Sequence, residues 1–368
     1  MLRILHVASF NGNIGDALSH IGLYKLLDTD LGISRDDIYQ LDLRRFYKNA
    51  SVDALQFNSD CAADFNKYDL IIIGGGGFLR QAFEKSISGN TFDFEDSFLS
   101  KLQSKILFYS IGGINSFEAV TEQAYSKTER FIEKLYADPR FKFLFRTDGS
   151  VHNSQFLKAL VDKEPSSVVQ IFDSAYLNRK QTGSRRRNSV IINIGYDQAL
   201  ESSCGLNEVI VRTSQIIARL YKEDPSIVFE FVPHTYYDVE AFSALCKSLP
   251  ERIKRNNLKC LQSFTFYSDL QNTINAYASA RLALTGRFHS TAFAFLYTGN
   301  FLPLYEFDRT KSQLDALGLT ELQVATPKEA VKAFNNDTIT QKISNKYDEK
   351  QILNQTTTVE QLKLFLGQ

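Results

Sequence analysis

Short apolar runs alternate with longer amphipathic segments along the chain. An apolar run bounded by polar residues suits a strand buried on both faces, and an amphipathic segment suits a helix that covers such a sheet. The alternation therefore indicates a parallel sheet with helices on both faces. In the first half of the chain it predicts strands at residues 4–9, 38–43, 70–74, 106–111, 143–146 and 168–172, and helices at 16–27 and 118–136.

The same pattern restarts after a polar, basic segment, NRKQTGSRRRN at residues 178–188, which we interpret as a linker. Beyond it, strands are predicted at residues 190–194, 228–233, 261–264, 282–285 and 302–305, and helices at 206–222, 241–249, 270–280 and 290–297. Two further helices, 327–334 and 359–366, are expected to close the chain, and the pattern does not assign them to either half.

We therefore predict an α/β fold of two doubly wound, Rossmann-like lobes. The boundaries follow the linker, with an N-terminal lobe at residues 1–180, a C-terminal lobe at 181–325 and closing helices at 326–368. A length of 368 residues agrees with two domains, because single domains usually contain roughly 100–200 residues.

The composition is that of an ordinary globular chain, with 43% hydrophobic and 23% charged residues. Lys plus Arg and Asp plus Glu both number 42, so the formal net charge is zero. A neutral chain has no general attraction to nucleic acid or to an anionic membrane. Any anionic ligand must then be held by a local group of cations.

The cysteines and the N-terminal residues favour a reducing compartment. Cys61, Cys204, Cys246 and Cys260 match neither a metal-ligand spacing nor a CxxC redox pair, so we expect free thiols. The first residues do not form a signal peptide, and no segment approaches a membrane span of about 20 apolar residues. We expect a cytoplasmic protein, and peripheral contact with the inner face of the membrane stays open.

Ligands of open α/β sheets bind beyond the carboxyl ends of the strands, so the residues that follow each strand are the candidate site. The first strand leads into Asn13-Ile14-Gly15-Asp16, where Asp16 either caps the next helix or holds a substrate hydroxyl. The third leads into Gly74–Gly77, which lacks the GxGxxG spacing of a dinucleotide site. Gly75 and Gly76 serve either close packing or the approach of a ligand to the backbone.

The segment RLALTGRFHS at 281–290 is the most informative, because a strand delivers Arg287 and His289 to the start of a helix that Ser290 is expected to cap. Their i, i+2 spacing in extended chain would place both side chains on one face. A guanidinium can grip a carboxylate or phosphate, and a neighbouring imidazole can move a proton. A structural histidine in the core is the alternative, and it is weakened because arginine is rarely buried without an anionic partner.

Three further residues follow strands and have chemistry to offer. Arg146 and Lys311 can each bind an anion, although either one alone is also consistent with a solvated charge. His234 follows a strand of the second lobe, and we expect its side chain to face a cleft between the two lobes, together with Arg287 and His289.

Taken in order, these motifs resemble the polysaccharide pyruvyl transferase family. The resemblance rests on NxGD at 13–16, the glycine run, Arg146 with Ser150, Pro233-His234, and Arg287-Phe288-His289 followed by Lys311. The most specific part is GRFHSTAFAFLYTGNFLPLYEFDRTK, which is similar to the R-x-H segment, helix, strand and lysine of the family. The family usually has Asp directly after the first-lobe arginine, whereas here Thr147 precedes Asp148.

The resemblance implies a GT-B-like fold with the active site in the cleft between the lobes. It implies transfer of a pyruvyl group from phosphoenolpyruvate to a sugar of an envelope or capsular polysaccharide or its precursor, forming a ketal. His289 would be the acid, and Arg287 and Arg146 would hold the donor. Substrate contacts are also expected from Asp16, Gly75, Gly76, Ser290, His234 and Lys311.

No step of this chemistry calls for a metal or a cofactor, so neither is expected. The partners would be phosphoenolpyruvate and a glycan or lipid-linked oligosaccharide, and the sequence does not identify the sugar. Two alternatives stay open, because fold alone does not fix function. One is a nucleotide-sugar glycosyltransferase, and the other is a non-catalytic glycan-binding protein.

Overall fold

Strands and helices alternate in both halves of the chain, as the apolar pattern predicts. The computed structural model describes residues 2–47, 54–79, 85–113, 121–178, 187–261, 269–322, 324–336 and 353–367. The chain divides into two units. Unit 1 contains residues 1–9, 22–174 and 354–368, and unit 2 contains residues 10–21 and 175–353.

Unit 1 is built on a parallel sheet in the order β2-β1-β3-β4-β5-β6. Its strands are β1 (Ile4–Ala8), β2 (Ile38–Asp42), β3 (Leu70–Gly76), β4 (Lys105–Ile111), β5 (Phe141–Arg146) and β6 (Gln170–Ile171). The helices are α1 (Ile14–Leu31), which continues from unit 2 into unit 1, α2 (Ser59–Phe65), α3 (Asp96–Lys101), α4 (Glu122–Tyr136) and α5 (Gln155–Lys163).

The apolar runs form the central strands of unit 1 because both faces of the sheet are covered. Every residue of β1 and β3 is buried. Phenylalanine side chains fill one side of this core, where the rings of Phe108 and Phe143 stack with centroids 4.4 Å apart. The burial of whole strands explains why the runs are apolar throughout and do not alternate.

Unit 2 has a second parallel sheet, in the order β11-β10-β7-β8-β9. Its strands are β7 (Ser189–Ile192), β8 (Val228–Phe231), β9 (Leu258–Cys260), β10 (Leu282–Thr285) and β11 (Phe301–Pro303). The helices are α6 (Tyr196–Glu201), α7 (Gly205–Glu223), α8 (Asp238–Ser248), α9 (Glu251–Asn256), α10 (Leu270–Ser279), α11 (Phe288–Phe293), α12 (Asp308–Ala316) and α13 (Pro327–Asn335). A search of the described residues finds no helix with the length and apolar character needed to span a membrane.

Several element boundaries differ from the predicted ones, and some predicted segments lie outside the described residues. The strand predicted at 261–264 is instead β9, which pairs with β8 directly after α9 ends; residues 262–264 lie outside the described residues. The helix predicted from residue 118 begins at Glu122, and 114–120 also lie outside that part. Most of the predicted linker, residues 179–186, is likewise outside it.

The closing helices, which the pattern assigned to neither half, belong to different units. α13 belongs to unit 2, where the carbonyl oxygen of Ala333 accepts a hydrogen bond from Asn300. The last helix, at residues 353–366, lies almost wholly in unit 1. There the Asn354 side chain accepts the backbone N–H of Phe172 at 2.9 Å.

Candidate active site

The strand order of unit 2 reverses between β7 and β10, the place where ligands of doubly wound sheets bind. Asn193 directly follows β7 and joins the strand ends here. Its Oδ1 accepts the backbone N–H of Arg287 at 3.0 Å, and its Nδ2 donates to the carbonyl of Val232 at 2.8 Å. The segment that carries Arg287 and His289 is therefore held at the reversal point of the sheet.

The Arg287 guanidinium is buried and bonded to two carboxylates of unit 2. Its Nε donates to both oxygens of Asp238, at 3.0 and 2.8 Å, and Nη2 donates to Asp238 at 2.6 Å. Nη2 also donates to Asp197 and to the hydroxyl of Thr235. Within the part of the chain that the structure describes, Nη1 makes no hydrogen bond. This nitrogen is the one left to bind a further acceptor.

The charges of this cluster are stable near neutral pH. Burial by itself lowers the pKa of Arg287, but Asp238 and Asp197 together raise it above its usual value. Burial would raise the pKa of Asp238, whereas the adjacent guanidinium lowers it below the usual range. The pair is therefore a buried guanidinium and carboxylate, and each compensates the charge of the other.

The local backbone differs from the predicted one in two respects. Arg287 is the residue before α11, and the Ser290 hydroxyl donates back to the Arg287 carbonyl at 2.7 Å, so the prediction that Ser290 caps the helix is wrong. The helix begins two residues earlier than expected, at Phe288, and only Gly286 and Arg287 separate it from β10. His289 lies in the first helical turn, so the extended-chain argument for a shared face with Arg287 is also wrong.

The His289 imidazole lies against the first turns of α1, inside unit 2. Its Nε2 is 3.2 Å from the hydroxyl oxygen of Ser19, and its Nδ1 is 3.8 Å from Oδ1 of Asp16. The Ser19 hydroxyl is also 3.5 Å from the carbonyl oxygen of Gly15. An imidazolium, which carries N–H on both nitrogens, thus has an oxygen acceptor near each one.

The start of α1 explains why Asp16 is available to His289. Asn13 accepts the backbone N–H of Gly15 with its side chain, at 3.0 Å, and so caps the helix in place of Asp16. The N–H of Ile14 donates to the His234 carbonyl at 3.0 Å. Asp16 is therefore not the cap of α1, and its predicted contact with a substrate hydroxyl stays a prediction.

Gly15 allows the imidazole to lie directly on the helix. A Cβ atom at position 15 would be 2.4 Å from Cβ, Cγ and Nδ1 of His289. That separation is far below van der Waals contact, so no side chain fits there without moving the ring. The glycine of the NxGD segment therefore has a packing role that the sequence does not reveal.

His234 is placed close to this cluster but is fully buried. Its Nε2 is 3.1 Å from the Tyr277 hydroxyl, and its backbone N–H donates to Asp238 at 2.9 Å. Burial lowers the pKa of His234 to about 3, so the ring is neutral at physiological pH. This environment favours a role in supporting Asp238, and the predicted substrate contact stays a prediction.

Lys311, on α12, lines a cavity of about 240 Å³ in unit 2. Tyr305, Glu306 and Phe307 contribute to the same cavity, so the lysine has an acidic and two aromatic neighbours. Among the described residues, no group of three or more His, Cys, Asp or Glu is arranged to hold a metal ion. That the chemistry needs no metal stays a prediction.

Arg146 belongs to unit 1, where it ends β5 in a buried ion-pair network. Its guanidinium donates to Asp148 at 2.9 and 3.1 Å and to Asp173 at 3.0 Å. Burial lowers its pKa, and Asp148 and Asp173 raise it above the usual value. Asp148 also accepts the backbone N–H of Ser150 at 3.1 Å. Arg146 therefore supports the loop after β5, and its predicted role in donor binding is untested.

The glycine run of unit 1 has packing reasons of its own. A Cβ at Gly74 would be 1.9 Å from the Tyr109 carbonyl oxygen, and one at Gly76 would be 2.6 Å from the Phe78 ring. Gly75 has a φ of 78°, in the left-handed region that favours glycine. These facts support the close-packing interpretation and leave a ligand contact at Gly75 and Gly76 as a prediction.

The sequence interpretation missed the residues that hold the two key side chains. Asp238 and Asp197 bind Arg287, and Ser19 and Gly15 contact His289. A signal did exist for the aspartates, because a buried arginine requires an anionic partner. The spacing of residues along the chain does not identify which of the many acidic residues is the partner of Arg287.

Several solved structures are similar to this chain at low sequence identity. S. aureus MnaA, solved with UDP, is 12% identical; the match covers 100% of this chain and 97% of that one, with a TM-score of 0.57. An α,α-trehalose-phosphate synthase from Burkholderia xenovorans is 11% identical, with 100% and 99% covered and a TM-score of 0.52. The Thermobaculum terrenum O-GlcNAc transferase is 12% identical, and this chain spans 66% of its length at a TM-score of 0.48.

The first two likenesses, together with the two parallel sheets, define an α/β, GT-B-like fold. No curated protein matches the sequence. The family model for polysaccharide pyruvyl transferase matches residues 13–306, from the first residue of the NxGD segment to a point beyond the Arg-x-His segment. The chain therefore belongs to the polysaccharide pyruvyl transferase family.

Proposed function

We propose that this protein transfers a pyruvyl group from phosphoenolpyruvate to a sugar of an envelope or capsular polysaccharide or its precursor. The product is a pyruvyl ketal, and His289 is the general acid. The observation that carries the proposal is the placement of the imidazole between Ser19 and Asp16, two residues along the chain from the buried Arg287, in the part of the chain that matches the family. The acceptor is a free glycan or a lipid-linked oligosaccharide.

The reaction needs one proton donor at a fixed position. His289 protonates the methylene carbon of phosphoenolpyruvate, which makes the neighbouring carbon cation-like. One sugar hydroxyl forms a C–O bond to that carbon, the bond to the phosphate oxygen breaks, and a second hydroxyl closes the ketal. Of the two hydroxyl protons, one restores the imidazolium and the other leaves with phosphate.

Arg287 has a nitrogen and an exchangeable partner with which to bind the donor. Its Nη1 has no acceptor among the described residues, and one of the partners of Nη2 is the carboxylate of Asp197, whose side chain is 47% exposed. The other partner, Asp238, is fully buried. A donor carboxylate or phosphate can therefore replace Asp197 while Asp238 keeps the guanidinium in position.

A nucleotide-sugar glycosyltransferase is the second candidate. It is favoured by one observation, the UDP bound to S. aureus MnaA, which shares this fold. A nucleotide donor requires a pocket for the base and partners for the ribose, in addition to the cations that either donor needs. UDP therefore has to be compared with phosphoenolpyruvate in the same measurement.

The test is the melting temperature of the purified protein with phosphoenolpyruvate, UDP or a UDP-sugar, each without divalent metal. We expect stabilisation by phosphoenolpyruvate, which at tenfold above its Kd contributes about 1.4 kcal/mol. With a suitable glycan, the protein should release inorganic phosphate and add a pyruvyl group detectable by mass. Stabilisation by UDP or a UDP-sugar and not by phosphoenolpyruvate would establish the second candidate.

A further inference from the structure

Two exposed tyrosines interrupt the buried segment between β8 and α8. Tyr236 is 72% exposed and Tyr237 is 65% exposed, although His234 and Asp238 on either side are fully buried. The two rings meet edge to face with centroids 6.1 Å apart. Large aromatic side chains contribute most when they are covered, so an adjacent exposed pair indicates a surface that binds something.

The local backbone does not require tyrosine here. Tyr237 occupies the position before α8, where Ser, Thr, Asp or Asn usually accepts a helix N–H. Its side chain makes no such hydrogen bond. The backbone of Tyr237 is itself in the helical region, at φ −64° and ψ −22°, so the local hydrogen bonding does not call for an aromatic side chain there.

This segment is joined to the residues of the candidate active site. Thr235, which precedes the pair, accepts a hydrogen bond from Arg287 at 3.0 Å. Asp238, which follows it, binds the same guanidinium. Thr235 also forms an antiparallel bridge with Asn13, the cap of the helix that contacts His289. The tyrosines are thus fixed beside the cluster and not on a remote surface.

The chemistry of a tyrosine pair suits a sugar ring. A pyranose has an apolar face of C–H bonds and a rim of hydroxyls, and tyrosine has an apolar ring and a hydroxyl at its edge. A short peptide or a lipid tail would require a wider apolar surface, and a nucleic acid would require cations around the pair. The segment 233–238 contains an aspartate and no lysine or arginine.

We propose that Tyr236 and Tyr237 form a stacking platform for a sugar ring of the acceptor glycan. The inference rests on the proposed function in taking a glycan as the acceptor. It does not depend on the identity of the donor. The platform would hold the acceptor beside the Arg287 cluster, with its hydroxyls directed at the reacting carbon of the donor.

Saturation-transfer NMR tests the platform, with irradiation of aromatic protons and the methyl glycosides of glucose, galactose and mannose as probes. We expect transfer to ring C–H protons of at least one glycoside. Tyr236→Ala and Tyr237→Ala should each weaken binding by about twofold to tenfold, and Tyr236→Phe should retain it. Tyr39→Ala is the matched control, because Tyr39 is 50% exposed and also packs edge to face with a tyrosine, Tyr68.

Other outcomes are equally informative. No transfer to any of the glycosides, or equal transfer in the alanine variants, overturns the platform. Binding of anionic lipid vesicles that is lost with the tyrosines, without transfer to sugar, assigns the surface to a membrane and also overturns it. The melting shift with phosphoenolpyruvate should be the same in wild type and in all variants. If wild type shows no melting shift while saturation transfer to a glycoside depends on the two tyrosines, the donor assignment fails and the platform stands.

Discussion

Arg287 has two carboxylate partners in unit 2, and they differ in their access to water. Asp238 is fully buried, whereas nearly half of the Asp197 side chain is exposed. Removing the guanidinium would leave Asp238 buried and unpaired, at a cost of roughly 3–5 kcal/mol. Arg287→Ala therefore combines loss of stability with loss of binding, and the exposed partner is the better position for a test.

We expect Asp197→Asn to tighten the binding of phosphoenolpyruvate. The change removes a competing negative charge from Nη2 while Asp238 still fixes the guanidinium. A partly exposed pair is worth about 1 kcal/mol at most, so the gain should be about threefold to fivefold in Kd. Titration calorimetry measures it.

Glu208→Gln is the control for this prediction. It neutralises an exposed carboxylate of the same unit that pairs with Arg212. Unchanged or weaker binding in Asp197→Asn, with the control equal to wild type, would show that the donor does not replace Asp197.

Ser19 is expected to position His289 without contacting substrate. Its hydroxyl is buried and lies 3.2 Å from Nε2, so Ser19→Ala removes a partner of the imidazole with almost no change of volume. A lost hydrogen bond of about 1 kcal/mol predicts roughly a fivefold lower kcat for phosphate release with unchanged affinity for phosphoenolpyruvate. His289→Ala should lower kcat by about 10²–10⁴-fold.

A spectroscopic readout separates positioning from general loss of structure. The ring 15N shifts of the five histidines report tautomers, and Ser19→Ala should change only the His289 signal, which His289→Ala assigns. Ser279→Ala is the control, since its hydroxyl is also buried but bonds to Ala276 within its own helix. A lower affinity with unchanged kcat, or unchanged histidine shifts, would contradict a positioning role.

At the level of elements, α11 can pack against α1 because α1 has a glycine, Gly15, at the contact. Gly15 in the first turn of α1 accepts the imidazole of His289 directly. Substitution by alanine must displace the ring or the helix, and such overpacking costs typically 1–3 kcal/mol. With glycine at position 289, where no side-chain atom remains at the contact, the same alanine would favour the helix by up to about 1 kcal/mol.

Gly15→Ala should therefore change sign with the residue at position 289. In the wild-type background we expect a lower melting temperature and a loss of turnover. In the His289→Gly background, which also lacks the Cβ that lies 2.4 Å from the built Cβ, the same substitution should leave the melting temperature unchanged or raise it. Thermal melts of the four proteins complete the cycle, and an equal loss in both backgrounds would show that the two residues do not interact.

Apolar patterning predicts a strand well when all of its residues are buried. It predicts a strand poorly when only hydrogen bonds to a neighbouring strand define it. β3 and β10 are buried along their whole length, so their apolar runs identify them. β9 is three residues long, with an exposed lysine at its centre, and only its pairing with β8 makes it a strand. The start of α11 was missed because the residue before it, Arg287, makes no side-chain capping hydrogen bond, so no capping residue marks it in the sequence.

At the level of the whole molecule, both sheets place their first strand away from the edge. β1 lies between β2 and β3, and β7 lies between β8 and β10. The sequence predicts two sheets of this class, since only strands covered on both faces are apolar throughout. It does not predict which unit a helix joins: residues 10–21 belong to unit 2, and Asp238 binds an arginine 49 residues away. Spacing along the chain contains no signal for such contacts.

Two of the buried histidines, one in each unit, have a pKa that burial lowers, and both should make stability depend on pH. His6 lies in β1 of unit 1, and His234 follows β8 of unit 2. Burial lowers the pKa of each imidazole from 6.5 to about 3, whereas the unfolded chain retains the ordinary value. Between these two values the unfolded state binds more protons than the folded state. The free energy of unfolding should therefore fall as pH decreases through this window, and these two groups contribute no slope above it.

The expected slope is at most about 1.4 kcal/mol per pH unit for each histidine, and thermal melts between about pH 7.5 and pH 5 measure it. Glutamine in place of His234 cannot take up a proton in the unfolded state. The His234→Gln variant should therefore lose about half of the pH-dependent fall in unfolding free energy that His6 and His234 cause together. This holds even if its melting temperature at neutral pH is lower. His152→Gln is the control, because His152 is exposed and its loss should leave the slope unchanged. An equally steep decline in wild type and His234→Gln would mean that proton uptake by this imidazole does not determine the acid sensitivity of the fold.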